Sequence, residues 1–101
     1  MDSFNIDSLD DVIHGRLRLG IMAFLSTAGS ADFTLLKKRL QATDGNLSVQ
    51  LRKLEEAGYV AIDKAFLGKK PQTSVTLTDA GRTAYIGYLD AMRKLIADTG
   101  Q

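Results

Sequence analysis

The chain contains no cysteine. Disulfide staples, thiolate metal sites, thiol redox sensing and cysteine nucleophiles are therefore excluded. The absence also fits a reducing cytoplasm. Histidine occurs once, as His14, which leaves no partner imidazole for a metal site; a structural or interface role suits it better than that of a base. No glycine-rich phosphate loop is present, and the carboxylates form no paired arrangement along the chain. Neither catalysis nor a cofactor nor a bound metal is expected. No apolar run reaches the roughly 18 residues that a membrane-spanning helix needs. The opening "MDSFNIDSLDD" is acidic and lacks a basic n-region, so it does not read as a signal peptide.

What is there fits one domain over residues 1–101, with 45% hydrophobic and 25% charged residues. A chain of this size buries roughly 60–70% of its unfolded surface, which is one modest core. Oligomerisation would enlarge it. Net charge is only +1, but its distribution is uneven. Residues 1–32 carry two bases and five acids, residues 33–72 eight bases and four acids, and residues 73–101 three of each. The middle of the chain is the candidate surface for a polyanion.

Periodicity gives the elements. Ser8 is placed to cap a helix, with Asp11 in a capping-box-like position. Val12, Ile13, Leu17, Ile21, Phe24, Leu25 and Ala28 then follow a 3.6-residue period, with Gly15 as a break and Gly29 as the stop. "ADF" is a short strand. Thr34 suits an N-cap before "LLKKRLQA", a helix of about two turns, and "TDG" is a tight turn. Thr43 caps the next helix, residues 44–57, with Leu47, Leu51 and Leu54 inward and Gly58 as its left-handed terminator. The period then changes to two. Residues 59–66 form a strand with Val60, Ile62 and Phe66 on one face. "LGKKPQ" is a loop holding the only proline, and Thr73, Val75 and Leu77 alternate on the returning strand. Thr78 caps a last helix, and "DTGQ" is expected to fray at its end.

The order predicts an α+β, mainly helical fold: helix, short strand, helix, helix, two-stranded wing, C-terminal helix. A third helix held by the second across a tight turn is a helix-turn-helix, and the hairpin makes it a winged one. The motifs "HGRLRLGIMAFL", "DFTLLKKRL", "TDGNLSVQLRKLEEAGYV" and "GKKPQTSVTLTDAGR" together resemble the small MarR/ArsR-type winged-helix transcriptional regulators. The resemblance implies a homodimer that binds palindromic operator DNA and changes transcription nearby. Three departures matter. The cysteine and histidine ligands of metal-sensing members are missing, the chain is short for the helices that frame an effector pocket, and Val49-Gln50 replaces a more basic or bulkier pair.

With the three leucines inward, Gly45, Asn46, Val49, Lys53 and Glu56 point outward, Gln50 and Arg52 flank them, and Ser48 lies at the shoulder. Asn46 and Gln50 suit adenine edges, Val49 a thymine methyl, Arg52 a guanine or phosphate, and Lys53 a phosphate. Thr43 and the free N–H groups of the first turn can also hold a phosphate. Lys37 and Lys38 would cross the backbone. Lys69 and Lys70, on a wing spanning residues 66–73, would reach phosphate or the minor groove. Arg52 and Lys53 could instead pair with Glu56 along the helix. A two-fold dimer would use surplus apolar residues at both ends of the chain: Val12, Ile13, Leu19, Met22, Tyr85, Tyr88, Leu89, Met92, Leu95 and Ile96. The rival reading is a protein–protein adaptor, since the fold alone does not decide. RNA fits less well, because its deep, narrow major groove excludes a helix.

Overall fold

The computed structural model describes residues 5–99. It has four helices and a three-stranded antiparallel sheet: α1 (Arg16–Ala28), β1 (Ser30–Asp32), α2 (Phe33–Leu40), α3 (Asp44–Glu56), β2 (Val60–Leu67), β3 (Lys70–Leu77) and α4 (Asp79–Thr99). The sheet order is β1-β3-β2, so the wing's second strand is central only where β1 reaches it. Ser30, Ala31 and Asp32 pair with Thr76, Val75 and Ser74. The winged-helix architecture expected from the sequence is the one observed.

The N-terminal helix is shorter than its periodicity implied. Ile6–Ser8 is a single 3-10 turn capped by Asn5, whose side chain accepts from the Asp7 N–H. Ser8 caps nothing, and no capping box with Asp11 forms. Asp10 takes that role: its carboxylate accepts from the N–H groups of Val12 and Ile13. Ile13 therefore enters the core from a turn, and α1 starts only after Gly15. Asp32, not Thr34, caps α2 by accepting from the Leu35 N–H at 2.7 Å. An Asp carboxylate one residue before the first helical turn outcompetes the later threonine. The tight turn is likewise earlier than "TDG". Gln41, in the left-handed region with φ 53°, closes α2, and Asp44 and Gly45 already belong to α3.

The corner after α3 is built as expected. Gly58 has φ 81°, a conformation glycine adopts without a Cβ penalty. The Gly58 N–H bonds the Glu55 carbonyl at 2.9 Å, and the Tyr59 N–H bonds the Leu54 carbonyl at 3.0 Å. These are the two bonds of a Schellman termination. The start of α4 docks on the same corner. The Thr78 N–H donates to the Tyr59 carbonyl, the Thr78 hydroxyl donates to the Gly58 carbonyl at 2.6 Å, and the same oxygen accepts from the Gly81 N–H.

The wing is longer and tighter than a loop at "LGKKPQ". β2 and β3 pair in full register from Val60↔Leu77 to Leu67↔Lys70. Only Gly68 and Lys69 turn the chain. Gly68 has φ 69°, and glycine with positive φ at the first of two turn residues is the type II′ signature that matches strand twist. Pro71 is tolerated within β3 because it faces Phe66 one step from the turn. There a two-residue hairpin directs the backbone nitrogen away from β2, and β1 does not extend that far. Phe66 keeps its predicted face but lies past the body of the protein, 73% exposed.

The core contains Ile13, Ile21, Met22, Leu25, Leu36, Leu47, Leu54 and Val75 with no accessible surface, and Leu51, Val60 and Tyr88 nearly so. This corrects three interface assignments. Ile13, Met22 and Tyr88 are consumed by the chain's own core and have no surface left for a second subunit. Val12, Leu19, Tyr85 and Met92 are half-buried against that core, and Leu95 is half-buried on α4. α4 continues to Thr99, so the fraying expected from Asp98 is not seen in the backbone to that point. Gly100 and Gln101 lie outside the described residues.

A Cβ at Gly81 would land on the Tyr59 carbonyl oxygen, far inside van der Waals distance, and 2.9 Å from Leu77 Cδ1. Gly81→Ala should lower unfolding free energy by about 3 kcal/mol, measured by urea denaturation at fixed protein concentration. Gly45→Ala, where a Cβ meets nothing within 4 Å, should gain up to about 1 kcal/mol. Equal effects would show that the corner does not require a bare backbone at Gly81.

Candidate nucleic-acid interface

α3 is fixed at both ends and along one side. Thr43 Oγ1 accepts from the Asn46 N–H at 3.2 Å. Asp44 places a carboxylate at the positive end of the helix and pairs with Lys37 at 2.9 Å. Leu47, Leu51 and Leu54 are buried. The opposite side is open. Gly45, Val49, Arg52 and Glu56 form its crest, and Val49 is 52% exposed. Ser48, Arg52 and Glu55 line a groove shared with Ile62, Lys64 and Thr73 of the sheet. Lys53 and Glu56 border Asp11, Val12 and Arg18 on the other flank.

The predicted reading residues do not all stand free. Asn46 and Ser48 are exposed; Gln50 is half-buried. The Gln50 amide nitrogen donates to Asn46 Oδ1 at 3.0 Å. Its oxygen accepts from Arg18 Nη1 at 2.5 Å. Gln50 is thus turned along the protein surface toward α1, not outward as an independent reader of adenine. Lys37 is shared with Asp44, leaving Lys38 as the exposed lysine of α2. Arg39 lies over the Phe24 ring, 5.6 Å from its centroid. Arg52 and Lys53 form no ion pair among the described residues, so neither is neutralised by Glu56. Lys69 sits in the hairpin turn and Lys70 opens β3, both exposed.

Three contributors were missed by periodicity. Lys64 shares a strand face with Ile62 and lines the groove beside Arg52; strand alternation could have revealed it. Phe66, two residues on along that face and inside the expected wing, is exposed, because alternation does not say where the core ends. Arg18 lies between Leu17 and Leu19, and an arginine in such surroundings must find acceptors. Nothing in the periodicity says which.

The fold and this surface can be set beside known proteins. A model of the "winged helix DNA-binding domain" family matches residues 17–96. The chain belongs to this family. A transcriptional regulator homologue from Pyrococcus horikoshii has a solved structure of TM-score 0.83 and 32% identity, each chain covered over 89% of its length. An uncharacterized protein of Methanocaldococcus jannaschii, MJ0432, is 35% identical over 78 residues, 77% of this chain and 85% of that one. Overoxidized AbfR, crystallised bound to DNA, has TM-score 0.68 and 22% identity. There the match covers 77% of this chain and 57% of the other, and at that identity the likeness is one of fold. The winged helix here is thus a DNA-binding domain of the transcription-regulator type. Among the described residues no helix is long and apolar enough to cross a membrane.

The winged helix is backed by polar ties from its N-terminal segment. The Tyr59 hydroxyl donates to Asp10 Oδ2 at 2.5 Å, and His14 Nδ1 hydrogen-bonds the Tyr88 hydroxyl at 2.8 Å. Asp10 thereby ties the segment to the corner at the end of α3. The hydrogen bond to Asp10, then burial, then the Asp10 charge push the Tyr59 hydroxyl from 10.0 up to about 12. A raised value in the folded state means the protonated form is favoured on folding. The stabilisation is complete below the unfolded value and is lost as pH rises through about 10 to 12. The wild-type melting temperature should therefore fall more between pH values of about 9 and 11.5 than that of Tyr59→Phe, in which the ionising hydroxyl is gone. Equal falls in both proteins would remove Tyr59 from the pH response.

Proposed function

We propose that the protein is a homodimeric transcriptional regulator that binds double-stranded DNA sequence-specifically. α3 enters the major groove and the wing, residues 66–73, lies on the backbone or in the minor groove. The observation that carries this reading is the pairing of two surfaces. A helix held by three buried leucines leaves Gly45, Asn46, Val49 and Arg52 open, beside a ribbon that ends in exposed Lys69 and Lys70. Their chemistry suits base edges on one and phosphates on the other. Lys38, Arg52, Lys53 and Lys64 add phosphate-directed charge around them. Thr43 is already occupied as a cap, so a phosphate there would meet the remaining N–H groups of the first turn. AbfR's presence on DNA in its own structure supports the same use of a shared fold.

The dimer is built on α4. Its 21 residues extend about 31 Å, and the molecule's long axis is 58 Å. Tyr85, Tyr88 and Met92 face the body. On its outer side Ile86, Leu89 and Ile96 are 59%, 41% and 62% exposed. Helical spacing aligns Ile86 and Leu89, and large apolar residues so arranged on an open face mark an association surface. Leu19 and Val12 remain available only at their edges. Two reading heads would then address half-sites about one DNA turn apart. The adaptor alternative lacks a comparable observation, since the face around α3 is polar and basic.

Selection from random duplexes at two salt concentrations should return an inverted repeat with half-sites about 10 base pairs apart. Binding should follow a log-log salt slope near −7, for about four phosphates per subunit. Lys69→Ala with Lys70→Ala should weaken all sequences alike and make that slope shallower by about 3.6. Loss of base preference instead would reverse the roles assigned to wing and helix; enrichment of nothing would favour the adaptor.

Ile86→Glu with Leu89→Glu should give a folded monomer by sedimentation at micromolar concentration, with weakened binding to the full repeat and little change on a half-site. A wild-type chain that is monomeric alone and on DNA would defeat the dimer.

A further inference from the structure

We propose that Arg18, through Gln50, sets the hydrogen-bonding polarity of Asn46 and so determines which base Asn46 selects. The inference rests on the DNA-binding reading above and concerns how that surface discriminates.

A guanidinium only donates. Its partner on Gln50 must therefore be the amide oxygen, and the amide nitrogen must lie on the other side. That nitrogen only donates, so the atom it meets on Asn46 must be Oδ1. The orientations of both amides follow from one arginine, and the observed bonds run in that order, Arg18 to Gln50 at 2.5 Å and Gln50 to Asn46 at 3.0 Å. Asn46 is left with its oxygen engaged and both N–H donors of its nitrogen unused.

Arg18 is itself held. Its Nε donates to the Val12 carbonyl at 2.5 Å, and Nη2 reaches the Asp11 carbonyl at 3.5 Å. It meets no carboxylate among the described residues. Gly15 leaves it room: a Cβ there would stand 2.8 Å from Nη2 and 2.9 Å from Cζ. A charged donor fixed to backbone carbonyls on one side presents a rigid N–H to Gln50 on the other. Arg18 and Gln50 are positioning residues, and Asn46 is the reader.

A side chain offering donors matches major-groove edges rich in acceptors, which are guanine (N7 and O6) and thymine (O4). The usual asparagine–adenine pair needs the amide oxygen to accept from adenine N6, and here one of its two lone pairs is taken by Gln50, which turns the oxygen along the protein surface and leaves the amide donors outward. The base under Asn46 is therefore guanine or thymine, in place of the adenine that residue type alone suggests.

The test uses the full-length protein, duplex selection and melting temperatures. Asn46→Ala identifies the operator position that Asn46 reads, as the one whose preference is lost. Wild type should favour guanine or thymine over adenine there by about tenfold. Gln50→Glu keeps a partner for Arg18 but can only accept from Asn46. It turns the Asn46 amide around and should move the preference at that position to adenine, with the other positions unchanged. Arg18→Lys keeps a donor for Gln50 while giving up carbonyl bonds to the N-terminal segment. It should retain the wild-type base and melt lower. Adenine selected by the wild type, through the second lone pair of Oδ1, would overturn the inference and leave DNA binding intact. So would a base preference that tracks melting temperature across the variants. Enrichment of no duplex by the wild type would overturn the DNA-binding reading, and the inference with it.

Discussion

The structure turns on one residue, Tyr59. Its N–H ends α3 on the Leu54 carbonyl, and its carbonyl receives the Thr78 N–H at the start of α4. Its side chain reaches back to Asp10. Gly58 supplies the left-handed step that makes this geometry available, and Gly81 supplies the bare backbone that lets α4 approach. Three segments distant in sequence, near residues 10, 59 and 78, thus meet within one corner. A chain of 101 residues has a small core, and a small core alone positions helices loosely. Directional bonds at a shared corner add the angular definition that apolar contact lacks. The direction in which α3 leaves the body follows from that corner as much as from its leucine stripe.

Most of the corner was legible. Gly58 after a leucine-periodic helix, the switch from a period of 3.6 to 2 and Thr78 before an acidic residue are local signals, each with a local mechanism. The N-terminal region was not legible in the same way. Val12 and Ile13 fit a helical period by coincidence, while Asp10 removes their N–H groups from helix formation by bonding both. Asp32 over Thr34 is a similar case, in which two capping residues competed and the carboxylate at the N-cap position, just before the first turn, prevailed over a threonine already inside it. Long-range polar contacts lie beyond periodicity altogether. Arg18 and Gln50 are 32 residues apart, and neither carries a mark that points to the other. The site's outline was therefore readable, but the partners that orient it were not.

The same limit explains the interface assignments. A wheel with apolar residues on more than one side shows surplus without showing which side is spent internally. Met22 and Tyr88 fill the core in this chain; of the expected set Leu89 stays exposed, and Ile86, which the set lacked, is exposed one turn before it. Ile86 escaped notice because the inward stripe of Tyr85, Tyr88 and Met92 already accounts for a helix of this kind. Burial is decided by where neighbouring elements end, and α4 outruns the body it packs on. Phe66 is exposed for the equivalent reason in the wing.

Two kinds of rigidity are thus combined in one surface. The wing holds its lysines on a two-stranded ribbon that projects beyond the core, with a backbone ladder but little packing near its tip. Such ribbons open at low free-energy cost compared with core elements, which suits contacts to phosphates whose exact spacing varies with sequence. The amides of α3 are treated differently. Asn46 is bonded to Gln50, Gln50 to Arg18, and Arg18 to backbone carbonyls, so the orientation of the exposed amide is set before any ligand arrives. Pre-set donors avoid the ordering cost that a free side chain incurs on binding, and they also discriminate, because an amide that cannot turn over cannot satisfy the wrong edge. In the DNA-binding reading proposed above, adaptable charge at the periphery and fixed polarity at the centre would separate affinity from choice of base. In this chain it follows from an arginine that has only donors to give and a glycine that leaves room for it.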